Sequence, residues 1–92
     1  MLDCKKKIKI LDGVFVEKNS DNEIVAINVT TGVFASVDEV GMKILQYINQ
    51  PHSIMEITEM IKDEYDCGTN DIMEDVAEFI GMAAEEKFAE WI

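Results

Sequence analysis

Residues 23–48 read EIVAINVTTGVFASVDEVGMKILQYI, and this stretch decides the fold. From Glu23 to Val29 the side chains alternate, with Ile24, Ala26 and Asn28 on one face and Val25, Ile27 and Val29 on the other, which is the period of a strand. Thr30-Thr31-Gly32 supplies a turn in which Gly32 is free to take a positive φ, so Val33 to Val37 returns antiparallel. Asp38 then caps a helix on which Val40, Ile44, Tyr47 and Ile48 recur at helical spacing. Gly41 permits close approach, and the helix ends near Asn49, before Pro51. No later strand is expected to cover Val33 to Val37. Its outer backbone groups are therefore left open, and such an edge can receive a guest peptide.

Upstream, Val14 to Lys18 is rich in β-formers and Asn19-Ser20-Asp21-Asn22 is a polar turn, so three antiparallel strands are expected. Residues 1–13 form an N-terminal arm or, over Lys7 to Leu11, a short strand. Downstream, Ser53-x-x-Glu56 has the spacing of a capping box and opens a second helix with Ile54, Ile57, Ile61 and Tyr65 on one face. Asp66-Cys67-Gly68 stops it. Asp71-x-x-Glu74, or Asn70 just before it, opens a third helix reaching about Glu86, on which Ile72, Val76, Ile80 and Ala83 form a buried stripe. Glu74, Glu78 and Glu85 project outward. Phe79 and Met82 fall beside Asp75 and Glu86 at the margin of the stripe. They either complete the core or meet the Trp91 tail, or they form one wall of a peptide groove.

Composition excludes several function classes. At 92 residues and 48% hydrophobic content, the chain supports one modest core and a single domain over residues 1–92. Its 8 basic residues against 19 acidic ones give a formal charge of -11, and every one of the 8 is lysine. This opposes binding to a phosphate backbone. The charge is uneven: Met1 to Lys18 holds five lysines against three carboxylates and Asp66 to Ile92 eight carboxylates against one lysine, so an acidic face either steers a basic partner or simply keeps the protein soluble. Cys4 and Cys67 lie far apart, without a CxxC spacing and with one histidine in the chain, so no zinc or iron-sulfur site is expected. The apolar runs fall well short of the ~20 residues of a membrane span. No signal-peptide pattern opens the chain, and a cytoplasmic protein with free thiols is expected. His52, in Gln50-Pro51-His52-Ser53, reads as an exposed turn residue without catalytic company, and the carboxylates read as a solvated helix surface.

The run Ile24 to Leu45, together with Ser53 to Tyr65 and the helix carrying Asp75-Val76-Ala77-Glu78-Phe79, resembles PqqD-like proteins, the pyrroloquinoline quinone synthesis D type, also called RiPP recognition elements. The resemblance extends from about Val14 to Phe88. Relatives often place an asparagine where this chain has Asp38 and a glycine about where it has Lys87, and they carry bulkier residues than Val33 and Ala35. The resemblance implies an α+β, winged-helix-like fold, a three-stranded antiparallel sheet followed by three helices. It implies a domain without chemistry or cofactor of its own that binds the leader segment of a ribosomally made precursor peptide and presents it to a modifying enzyme. A radical S-adenosylmethionine maturase is the expected partner, and any iron-sulfur cluster would belong to that enzyme. The peptide-binding positions carried over are Val33, Phe34, Ala35, Ser36 and Val37 on the strand, and Asp75, Phe79 and Met82 on the third helix. A winged-helix transcription regulator shares the outline, but the absence of arginine and the acidic third helix count against it. An assembly or inhibitory subunit that docks on an enzyme without binding a peptide is the other alternative.

Overall fold

The computed structural model describes residues 5–65 and 72–92. Strands β1 (Lys7–Ile10), β2 (Val14–Lys18), β3 (Ile24–Asn28) and β4 (Val33–Val37) are followed by helix α1 (Glu39–Tyr47), a short β5 (His52–Ser53), α2 (Ile54–Tyr65), α3 (Ile72–Glu85) and β6 (Ala89–Trp91). The expected antiparallel meander is present as a sheet of order β2-β3-β4. Each turn takes the conformation its residues favour. Asn19 Oδ1 accepts the N–H groups of Asp21 and Glu23, Asn22 sits at φ 65, and Gly32 adopts φ 80 at the second turn.

A second sheet, of order β5-β1-β6, corrects the expectation of a single one. Its central strand β1 pairs Ile8 with both His52 and Trp91, which settles Lys7 to Ile10 as a strand and recruits the tail. Ile8 is fully buried at its centre. His52 is consequently no exposed turn residue: it is half-buried in β5, its Nδ1 3.5 Å from Glu56 Oε1.

The helices form where caps and stripes specify them. Asp38 Oδ1 accepts the Gly41 N–H at 2.7 Å. At α2 the capping box is complete, since Ser53 Oγ accepts the Glu56 N–H at 3.1 Å and Glu56 Oε1 accepts the Ser53 N–H at 2.9 Å. That backbone donor, helped by nearby Lys7 and His52, holds the Glu56 carboxyl below its ordinary range. The C-terminal stop of α2 expected at Asp66-Cys67-Gly68, the α3 cap expected at Asn70 or Asp71, and Cys4 all lie outside the described residues. Ile72, Val76, Ile80 and Ala83 form the buried stripe of α3 as read from the spacing. They meet Ile44, Leu45 and Ile48 of the α1 segment, Ile54, Ile57 and Ile61 of α2, and Ala26 of β3 in one core. Val40 departs from its expected stripe and stands 37% exposed.

Helix α3 ends in a Schellman turn: the Phe88 N–H bonds the Ala83 carbonyl and the Lys87 N–H bonds the Ala84 carbonyl, with Lys87 at φ 67. Buried Asn28 ties this end to β3 by donating from Nδ2 to the Lys87 carbonyl, while its Oδ1 accepts from the Thr30 and Thr31 N–H groups. The sheet and the last helix are thus fixed relative to each other by one satisfied polar side chain.

Candidate functional site

Strand β4 is an edge: among the described residues its one strand neighbour is β3. Which of its backbone groups face outward follows from register. The Val29 N–H bonds the Gly13 carbonyl, so Val29, and with it Ile27 and Val25, turn their backbone groups toward β2. Ile24, Ala26 and Asn28 therefore turn toward β4, where their partners are Val37, Ala35 and Val33. By alternation, the N–H and C=O groups of Phe34 and Ser36 point to the open edge.

Side chains on β4 divide in the same rhythm. Val33, Ala35 and Val37 are half-buried and pack against the core, whereas Phe34 and Ser36 stand on the sheet's other face, away from it. Of the five strand residues expected at the site, three thus offer side chains on the helix side and two offer main-chain hydrogen bonds to an added strand. Alternation predicts such a division, but which set held the open hydrogen bonds required the partner of Val29.

Beyond the end of β4 a cleft of about 530 Å³ opens between α1 and α3. Gly41 and Ile44 of α1, Ile61 of α2 and Val76 of α3 line it, and Phe79 and Met82 add half-buried surface. Asp38, Asp75 and Glu78 bring three carboxylates to it. The structure therefore brings together Asp75, Phe79 and Met82 as the sequence spacing anticipated, and it draws Glu78, read as simply outward, to the same cleft. Val40 and Gly41 are additions. Gly41 has a specific steric role: a β-carbon there would lie 2.6 Å from Phe79 Cε1 and 3.2 Å from Val37 Cβ, so the missing side chain lets the Phe79 ring lie against α1 beside the end of β4. A glycine inside a helix, unfavourable by propensity, was the signal for this contact.

The arrangement offers unpaired main-chain donors and acceptors, an apolar wall and acidic groups. Among the described residues no group of three histidine, cysteine, aspartate or glutamate side chains is disposed to hold a metal ion, and no helix is long and apolar enough to cross a membrane. These features suit an extended peptide, held by its backbone on one side and by apolar side chains on the other.

The family model for coenzyme PQQ synthesis protein D (PqqD) matches residues 23–89. Among solved structures, TbiB1 in complex with the TbiA(beta) leader peptide is similar at 27% identity and TM-score 0.70, over 89% of this chain and 94% of that one. Lasso peptide synthetase B1 complexed with the leader peptide is similar at 17% identity and TM-score 0.69, over 89% and 95% respectively, and supports the fold. No curated protein sequence matches the chain.

Proposed function

The chain belongs to the coenzyme PQQ synthesis protein D family, and from that membership we propose that it binds the leader segment of a ribosomally made precursor peptide by strand addition and presents the peptide to a modifying enzyme. The observation that carries the proposal is the open edge of β4, with the backbone groups of Phe34 and Ser36 turned outward, followed directly at Asp38 by a cleft that Phe79 and Met82 help to line. A relative at 27% identity that matches nearly its full length is complexed with a leader peptide. In this reading the leader pairs with β4 and lays alternate side chains between Val33, Ala35, Val37 and α3.

The chain contributes positioning and no bond chemistry. Holding the leader near an enzyme turns the encounter with the remainder of the peptide into an intramolecular event, which raises its effective concentration without any catalytic group on the carrier. The partner we propose is a radical S-adenosylmethionine maturase acting in the cytoplasm, on the strength of the PqqD relationship. The test is calorimetric titration of the chain with the synthetic leader and, separately, the core segment of a precursor encoded beside it. Saturable one-to-one binding of the leader and none of the core is expected. Binding of the enzyme without affinity for any leader would instead identify an assembly subunit.

A further inference from the structure

The face of the β2-β3-β4 sheet opposite the core carries an apolar row across all three strands. Phe15 stands opposite Ile27, and Ile27 opposite Phe34. Phe15 is 57% and Phe34 72% exposed, so the row lies open to solvent and ends at the β4 edge. Natural sheets blunt such an edge with charge or proline, yet Val33 to Val37 contains neither.

The exposure of Phe34 coincides with its backbone role. Because its N–H and C=O face outward, a strand added antiparallel to β4 sets one residue directly opposite Phe34, with its side chain on the same outer face and its Cβ about 4.5–5.5 Å away. We propose that this outer position is a second point of leader specificity: the residue opposite Phe34 is aromatic or β-branched and becomes the fourth member of the row Phe15, Ile27, Phe34. The inference rests on strand addition at β4. Neighbouring residues of the guest turn to the opposite face, toward Val33, Ala35, Val37 and Phe79, which are also apolar. The chosen segment is therefore a run of consecutive apolar residues, and not a strand alternating apolar with polar.

Selection from a display library of random dodecapeptides tests this with the native chain, with Phe34→Glu, and with Met55→Glu, which adds the same charge at an exposed α2 position outside the cleft and sheet. Circular dichroism first establishes that each variant is folded. The native chain and Met55→Glu should enrich peptides with an aromatic or β-branched residue at one fixed position between groove-facing apolar residues. Phe34→Glu should keep the groove preference and shift that position to lysine or arginine, with at least a tenfold change in relative affinity between two peptides differing there. If Phe34→Glu does not fold, Phe34→Thr serves, and loss of the apolar preference at that position is expected. Identical selections by native and Phe34 variants would overturn the outer-face contact while leaving strand addition standing. Failure of the native chain to enrich any peptide would remove strand addition and this inference with it.

Discussion

Lys87 shows how far single residues can be read. Its place after α3, where the resemblance to PqqD-like proteins sets a glycine, was visible in sequence, and the structure gives it the left-handed backbone that a glycine would take. A non-glycine residue in that region carries a penalty of roughly 1–2 kcal/mol, partly offset by glycine's larger unfolded-state entropy, so Lys87→Gly should raise stability by up to about 1 kcal/mol in urea unfolding. Asn28 was legible as sharing one face of β3 with Ile24 and Ala26, and the structure buries that face. Its bond to the Lys87 carbonyl, 59 positions away, was not, because local pattern holds no information about such a partner. The capping box was fully legible, since both members lie within one turn. Ser53→Ala should cost about 1 kcal/mol, measured by the same unfolding. Glu56 adds a pH dependence: its carboxyl is lowered on folding, so its contribution is present above the ordinary carboxylate range and is lost as pH falls through the lowered folded value. The stability difference between the native chain and Glu56→Gln should therefore shrink on acidification from about pH 7 to about pH 3. At the cleft, Phe79→Ala should weaken leader binding by ~1–3 kcal/mol in calorimetry, the usual range for an anchor. Gly41→Ala should also weaken it, because the new methyl displaces the Phe79 ring.

The elements differ in legibility according to length and periodicity. Strands β2, β3 and β4 and the stripe of α3 are long enough for alternation or helical spacing to stand out, and they lie where the pattern put them. Strands β5 and β6 have 2 and 3 residues, too few to show a period, and they form only because β1 lies between them. His52 was misread for that reason. Register gives β4 a test that side chains alone do not. Ser36→Pro removes a donor that faces the open edge, so the protein should fold normally and lose leader binding. Ala35→Pro removes a donor that faces β3 and should unfold or strongly destabilise the sheet. Circular dichroism and titration on both variants check the pair. A folded Ser36→Pro that binds normally would exclude strand addition at this edge.

At the scale of the whole molecule, charge and topology set how the edge is reached. With a formal charge of -11 and carboxylates at the cleft, the chain should associate faster with a cation-rich leader or enzyme surface at low ionic strength, and the rate should fall as salt rises. Stopped-flow association across a salt series measures this, with duplex DNA as the comparison that should not bind. The meander and the helices are held together by one core and by the Asn28 link, which leaves β4 fixed in position yet open on its outer side. Amide hydrogen exchange at β4, followed by NMR with and without saturating leader, tests strand addition most directly. Ala35 and Val37, already bonded to β3, should exchange slowly in both states, while Phe34 and Ser36 should exchange quickly in the free chain and slow by at least tenfold when the leader is bound. Leader binding that leaves Phe34 and Ser36 at their free rates would contradict the account.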